Sequence, residues 1–474
     1  MIGRAEEIKQ LKKAYESSYS EFVTVYGRRR IGKTFLVNEV FGYKFAFHVA
    51  GVKGGKKREQ LEKFRYALIR HGAEKCPRLT SWLHAFHELE MLLEALPEGR
   101  KVVFIDEMPW MDTHGSGFLS ALESFWNEWA SCRKDIVLIA CGSATSWIVK
   151  KINHNAGGLY NRVRTQIKLY PFTLAECEAY AAEQGLSYSR SHIAECYMVF
   201  GGVAYYWSLL EKGKSPEQNV NKLFFGRGDG LRLEFEELYS SLFANPEPYI
   251  DIVLALGVKR AGLSRDELVA AIGGRSNGNL STHLADLEEC GFIRRYRPVG
   301  GVNGGLYQLV DNFSLFYMRF VRGCQSRAGD YWTEGVGEGA KNEWRGFAFE
   351  RLCLEHVPQI KMALGISGVH TEAYSWKCSA SPELRGAQID LLLARKDGII
   401  NLCEMKYSKG AYAIDADEDR KIANRVAAFD RELGGNKTIH VTMVTAHGLV
   451  HNTYWNNVQS EVTLDDLFRE YHGA

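Results

Sequence analysis

Short apolar runs that break off at glycine or polar residues recur through the first third of the chain. Phe22-Val23-Thr24-Val25-Tyr26 reads as a buried strand, and the following Phe35 to Phe41, with Phe35, Leu36, Val37 and Val40 apolar, reads as a helix. Lys101-Val102-Val103-Phe104-Ile105 runs into Asp106 and Glu107. Ile136-Val137-Leu138-Ile139-Ala140-Cys141 runs into Gly142 and Ser143. Runs without a polar face are what parallel strands covered by helices on both sides require, so the pattern predicts an α/β fold over 1–170.

The spacing then turns helical over 171–245. Thr173 and Glu176 form a capping box, followed by Leu174, Cys177, Tyr180 and Ala181, and Phe200-Gly201-Gly202-Val203-Ala204 marks a helix junction. Over 246–312, Ser264 with Glu267 opens a helix and Gly273–Gly274 makes a turn. A second helix, Asn277 to Cys290, carries Leu280, Leu284 and Leu287 on one face. Two strands follow, Phe292 to Arg297 and Leu306 to Val310, joined by a Gly/Asn-rich turn. Helix, turn, helix and hairpin is the order of a winged helix-turn-helix. Residues 313–340 form a connector with one apolar helical face (Phe313, Phe316, Tyr317, Phe320, Val321) and a glycine-rich linker at Gly335–Gly339. The last domain, 341–474, starts with a helix from Asn342 to His356 and contains the strands Gln388–Leu393 and Ile399–Lys406.

Composition narrows the class. The 474 residues are enough for roughly three domains at ~150 residues each. Apolar content of 46% and charged content of 24% are those of a globular protein, and a net charge of +2 leaves any basic surface local. Ten cysteines without a C-x-x-C spacing point to a reducing compartment. The charged stretch Met1 to Lys12 is unlike a signal peptide, and no run approaches the ~18 apolar residues of a membrane helix. The expectation is a cytoplasmic protein without a membrane partner.

Gly27-Arg28-Arg29-Arg30-Ile31-Gly32-Lys33-Thr34 fits the phosphate-loop pattern G-x-x-x-x-G-K-[ST], between strand and helix as the motif requires. Glycines let backbone N–H groups close around a phosphate, and the helix N-terminus adds partial positive charge. Candidate nucleotide contacts are Gly27, Arg30, Gly32, Lys33, Thr34 and Phe35, with Lys33 on the β- and γ-phosphates and the Thr34 hydroxyl on Mg²⁺. Asp106 is the second Mg²⁺ candidate, and Glu107 is positioned to orient or deprotonate the attacking water. Ser143 either reads the γ-phosphate or caps a helix starting near Ala144. Arg162, and after it Arg164, follows a Gly-rich stretch. Either neutralises charge on the transferring phosphoryl group or simply lies in a solvated basic loop.

The order Gly3-Arg4-x-x-Glu7, the phosphate loop, Val102 to Glu107, Ala140 to Ser143 and the tail Leu169-Tyr170-Pro171-Phe172-Thr173-Leu174-Ala175-Glu176 resembles the archaeal-type ATPase family. Its members are P-loop proteins related to AAA+ and to signal-transducing STAND NTPases. The resemblance implies ATP and Mg²⁺ as cofactors, with Gly3 and Arg4 near the base and ribose. It also implies Ser143 as a polar sensor and a helical lid that brings Gly201–Gly202 near the nucleotide. An arginine finger acting across a subunit boundary implies a homo-oligomer.

Two further resemblances concern nucleic acid. Asn277, Asn279, Ser281, Thr282 and His283 have side chains that reach base edges, and Arg294, Arg295 and Arg297 suit phosphates. Asp286, Glu288 and Glu289 on the same helix favour packing against protein instead. In the last domain, Asp390, Glu404 and Lys406, with Glu350 on the preceding helix, resemble the PD-(D/E)xK nuclease core, although Ile389 stands where that core has proline. The resemblance implies Asp390 and Glu404 as metal ligands for Mg²⁺ or Mn²⁺, Lys406 as the residue that positions water, and Glu350 completing the site. The bland alternative is a Glu404–Lys406 pair on a strand edge. Two functions follow as expectations. One is an ATPase coupled to a nuclease-like domain acting on DNA. The other is a STAND-like nucleotide switch whose last domain is an inactive recognition module.

Overall fold

The computed structural model describes residues 1–143, 145–154, 157–228, 230–243, 245–274, 279–296, 305–326, 329–378, 386–433 and 437–471. The chain divides into two compact units. The first comprises Met1–Pro171, Glu236–Glu247 and Ser281–Cys290; the second comprises Phe172–Phe235, Pro248–Leu280 and Gly291–Ala474.

The first unit is built on a five-stranded sheet of β1 (Glu21–Gly27), β2 (Phe47–Ala50), β3 (Lys101–Asp106), β4 (Ile136–Gly142) and β5 (Thr165–Leu169), in the order β2-β3-β4-β1-β5. Every pairing is parallel. β1, β3 and β4 are buried at every position, as their unbroken apolar runs require. Side chains alternate between the faces. Val23, Val25, Phe104 and Ile139 pack on Leu36 and Val37 of the helix Lys33–Val40. Phe22, Val103, Ile105 and Leu138 pack on the helices Lys57–Arg70 and Trp82–Ala95. There Phe64, Trp82 and Phe118 meet edge to face at 5.7 and 4.9 Å, the favoured aromatic geometry.

Two later segments complete this unit. Glu237 lies 3.8 Å from Arg30. From the helix Leu280–Glu289, Asp286 pairs with Lys150 at 2.7 Å and Glu289 with Lys168 at 3.1 Å. The second helix expected to read base edges therefore spends two of its acidic residues, Asp286 and Glu289, on this first unit. Asn277 and Arg297 lie outside the described residues.

The second unit opens with the helix Leu174–Glu183, whose capping box forms as expected: Thr173 Oγ1 accepts from the Glu176 N–H at 3.3 Å, and the Thr173 N–H donates to Glu176 Oε2 at 2.8 Å. Gly202 is required by a close approach. A Cβ there would stand 1.9 Å from the Phe172 carbonyl oxygen, which accepts no substitute for hydrogen. Ser264 and Glu267 form the second capping box, at the start of the helix Arg265–Ala271. β6 (Ile293–Tyr296) and β7 (Leu306–Leu309) make an antiparallel hairpin. Phe316, Phe320, Trp332 and Trp344 form an aromatic cluster, so the apolar face of the connector is buried. Gly335–Gly339 is not a free linker. Gly337 caps an 18-residue helix, Glu338–Glu355, whose Lys341 and Arg345 are buried and paired with Glu217.

The unit ends in a mixed sheet of β8 (Thr371–Cys378), β9 (Ala387–Arg395), β10 (Ile399–Lys406), β11 (Thr438–Thr445) and β12 (Ser460–Thr463), in the order β12-β11-β10-β9-β8. β8, β9 and β10 pair antiparallel, while β10, β11 and β12 pair parallel. The helix Ala416–Leu433 covers one face, with Phe429 packed against Trp376. No described helix is long and apolar enough to cross a membrane.

Candidate functional site

The phosphate loop leaves the C-terminal end of β1 through Gly27, at φ +143°, where a Cβ would meet the Leu169 carbonyl oxygen at 2.3 Å. Arg30 and Gly32 take left-handed conformations, φ 69° and 92°. The turn curls back so that Lys33 Nζ donates to the carbonyls of Gly27 (3.0 Å) and Arg28 (2.7 Å). Lys33 is 5% exposed. Burial lowers its pKa, while Cys141, Glu107 and Asp106 pull the other way. A buried ammonium held by carbonyls of the loop itself is poised for an anion entering that loop. Phe35 lies one turn into the helix and is exposed.

β4 lies between β1 and β3, so its end separates the loop from the carboxylates. Thr34 Oγ1 donates to Asp106 Oδ2 at 2.8 Å, and Asp106 Oδ1 accepts from the Glu107 N–H at 2.9 Å. A hydroxyl and a carboxylate brought together this way are the hard oxygen donors that Mg²⁺ takes, so the pair fits that ion. Glu107 adopts a left-handed backbone, φ 43°. Its carboxylate receives the Ser143 hydroxyl at 2.7 Å and the Ser143 N–H at 3.1 Å. Ser143 thus serves Glu107; Ala144, where a helix was expected to start, lies outside the described residues. The sequence reading missed Gly51. A Cβ there would sit 2.5 Å from the Glu107 carbonyl, and its N–H donates to the Asp106 carbonyl at 2.9 Å. Its position directly after the alternating Phe47-His48-Val49-Ala50 is the signal that marks it.

Arg4 and Glu7 pair at 3.7 Å, and Arg4 Nη2 donates to the Tyr170 carbonyl at 2.8 Å. Gly27 is the register partner of Leu169, so Gly3 and Arg4 sit at the same edge of the sheet as the loop. Arg162 and Arg164 do not. Both precede Thr165, the first residue of β5, and Arg164 lies 3.7 Å from Glu21 at the start of β1. Seven extended residues, about 20 Å, separate that edge from the loop. Arg164 is therefore not placed to act on a phosphate bound within its own chain, and Arg162 lies three residues before the same strand start.

The second cluster lies at β9 and β10. The register pairs Cys403 with Leu391, which sets Glu404 opposite Asp390. Lys406 Nζ stands 2.9 Å from Glu404 and 3.1 Å from Glu418. Burial pulls the Lys406 pKa down, but these two carboxylates together push it above its ordinary value. Glu350 is raised to about 7, first by burial and then by Asp390. All four predicted residues therefore share one neighbourhood. Sequence reading missed two more from the helix Ala416–Leu433: Glu418, and Arg425, whose Nη1 is 3.4 Å from Glu404. Both oxygens of Glu404 thus face cations. Among the described residues no three His, Cys, Asp or Glu side chains are grouped to hold a metal ion. This arrangement does not fit the metal that the nuclease resemblance implies.

An uncharacterised protein of Methanocaldococcus jannaschii, MJECL04, is 26% identical over 367 residues, 76% of this chain and 77% of its own. Among solved structures, the Walker-type ATPase PABY2304 of Pyrococcus abyssi superposes with a TM-score of 0.48 at 15% identity, covering 67% of this chain and 96% of its own. The ORC2 protein of Aeropyrum pernix does so with a TM-score of 0.43 at 14% identity, covering 66% and 92%. Residues 1–210 match the family described as an ATPase domain predominantly from Archaea. The phosphate loop and its paired carboxylates lie in that stretch, so residues 1–210 are similar to ATPase domains of this kind.

Proposed function

We propose that this ATPase binds Mg-ATP at 27–34, hydrolyses it with Glu107, and uses the nucleotide state to control a C-terminal nuclease-like domain that acts on nucleic acid, with DNA as the expected target. The observation that carries the first half is the chain of contacts Lys33–loop, Thr34–Asp106 and Ser143–Glu107. Loop N–H groups and Lys33 bind the β- and γ-phosphates. Thr34 and Asp106 hold Mg²⁺, which supplies charge neutralisation at those phosphates. Glu107, aimed by Ser143, orients the attacking water and accepts its proton. Gly3 and Arg4 lie on the base and ribose side. A second chain supplies Arg162 or Arg164 in a homo-oligomer, because both precede the start of β5, at the edge away from the loop of their own chain.

Lys33→Ala is expected to abolish ATP binding in equilibrium dialysis, whereas Glu107→Gln keeps binding and loses roughly 100-fold or more in kcat. Retained binding by the first variant sinks the premise.

For the second half, cross-strand Asp390 and Glu404, with Glu350 and Lys406 beside them, support the nuclease-like reading. Cleavage requires Glu404 to leave Lys406 and Arg425. The ion-paired state in turn favours a second reading, a STAND-like switch whose C-terminal domain recognises without cutting. Supercoiled and linear DNA incubated with ATP and Mg²⁺ or Mn²⁺ separate the two. Nicked or shortened product that disappears in Asp390→Ala supports the nuclease; intact DNA leaves the recognition module.

A further inference from the structure

Arg351 follows Glu350 on the helix Glu338–Glu355 and is 4% exposed. Its Nη2 donates to the Arg260 carbonyl at 2.9 Å, and its guanidinium lies 5.2 Å from the Phe347 ring. Nη1 is buried and has no hydrogen-bond acceptor. An unsatisfied guanidinium N–H inside a protein costs free energy unless a ligand completes it. Arg294 on β6 is the neighbouring cation. Its Nε donates to Gln308 Oε1 at 2.8 Å, and the guanidinium stacks 5.1 Å from Tyr296. Gln308 Nε2 in turn donates to the Arg260 carbonyl at 2.6 Å, the same oxygen that Arg351 Nη2 reaches, so one amide and one carbonyl join the two arginines. Burial lowers the pKa of both guanidiniums, and Asp390 is among the groups that oppose it at each. Asp390 and Arg294 are half-buried, and Gln388, which bonds Asp390 at 2.8 Å, is exposed. The group therefore reaches solvent at Arg294 and Asp390, while Arg351 Nη1 itself is buried.

Two guanidiniums held together repel one another, and an anion between them relieves that. The adjoining carboxylates limit which anion fits. Inorganic phosphate near neutral pH is largely a dianion and meets Asp390 and Glu404 with two charges, whereas a phosphodiester brings one. Arginine's planar fork also suits two phosphate oxygens at once.

We propose that Arg351 and Arg294 form a binding site for a backbone phosphodiester of a nucleic-acid strand, holding it against Asp390 and Glu350. This rests on the reading that the C-terminal domain engages nucleic acid, and it holds whether or not the strand is cut. Arg294 thereby keeps the phosphate-contacting task expected of it from the sequence, at this site instead of at a winged-helix wing.

The test is fluorescence anisotropy of a short fluorescein-labelled DNA with the full-length protein in EDTA, titrated at several salt concentrations. Arg294→Gln is expected to weaken binding roughly tenfold and to lower the salt slope by about one. Arg351→Lys keeps the charge but not the fork and is expected to weaken binding with the slope unchanged. Asp390→Asn removes a repelling charge and is expected to tighten binding, an outcome that a merely structural role would not produce. Unlabelled DNA displaces the probe where inorganic phosphate does not. Thermal melts of each preparation report folding. Binding by wild type that is unchanged in both Arg294→Gln and Asp390→Asn, or equal competition by inorganic phosphate, overturns this assignment alone. Absence of any binding by wild type overturns the nucleic-acid reading beneath it as well.

Discussion

The Ser143 hydroxyl and N–H both donate to the Glu107 carboxylate, so a single residue fixes the direction in which the proposed base points. Ser143→Ala removes one of the two donors. The expected result is near-normal ATP affinity and a roughly tenfold fall in kcat, the size of one lost charge-assisted hydrogen bond in the transition state. A change confined to KM would show that Ser143 contacts nucleotide and not Glu107. Gly202 carries the opposite kind of constraint, one of space. Gly202→Ala places a methyl group 1.9 Å from the Phe172 carbonyl oxygen and is expected to cost about 1–3 kcal/mol or more in denaturant titration. Single residues of the phosphate site were legible because their chemistry dictates both type and spacing: Gly27, Gly32, Lys33, Thr34, Asp106 and Glu107 are all where the motif puts them. Arg162 and Arg164 were legible only as candidates, because a charge in a loop carries no spatial address that says whose phosphate it meets. Glu418 and Arg425 escaped because they reach Glu404 from a helix whose register against the sheet no local pattern encodes.

Among elements, the helix Leu174–Glu183 is tied to the helix Glu338–Glu355 by one imidazole. His356 Nε2 accepts from the Leu174 N–H at 3.2 Å, and Nδ1 donates to the Leu352 carbonyl at 2.8 Å. Burial lowers the His356 pKa to about 4. An unfolded chain takes up that proton near pH ~6.5, and the folded one does so only near 4. Stability from this residue is therefore complete above about pH 6.5 and falls as pH drops toward 4, by about 3 kcal/mol at most. Urea titrations across that range are expected to show the slope in wild type and its loss in His356→Ala, which also starts less stable. The strands that escaped sequence reading share a physical cause. β2, β5, β8 and β12 are the outer strands of their sheets, half-covered and interleaved with polar residues, so they lack the unbroken apolar runs of β1, β3 and β4. β11 is internal but is diluted by Thr442, which bonds Asn401 inside the sheet at 3.1 Å. The proposed Gly335–Gly339 linker failed for a related reason: glycines before Glu338 look like a hinge until the buried Lys341 and Arg345 show what holds the next helix.

For the molecule as a whole, the two functional readings differ in what DNA does to ATP turnover. If the C-terminal domain answers to the nucleotide, linkage makes the effect mutual, and DNA is expected to alter ATP affinity as measured by titration calorimetry with a non-hydrolysable analogue. Equal affinity with and without DNA would separate the two halves of the chain functionally. The first unit is also discontinuous in sequence, taking Glu236–Glu247 and Ser281–Cys290 from beyond Pro171. Its sheet and both apolar layers are complete within the first 171 residues, so a ribosome can release a closed core early. Counted from residue 171, Arg30 must then wait roughly 3–13 s for Glu237, and Lys150 and Lys168 roughly 6–24 s for Asp286 and Glu289, at ~5–20 residues per second. During that interval the nascent phosphate loop is already folded but has not yet met Glu237, and cellular ATP can occupy it first. The nucleotide site is then a cassette whose sheet is finished before its last carboxylates arrive, and gene truncation at residue 171 would deliver it without Glu237, Asp286 and Glu289.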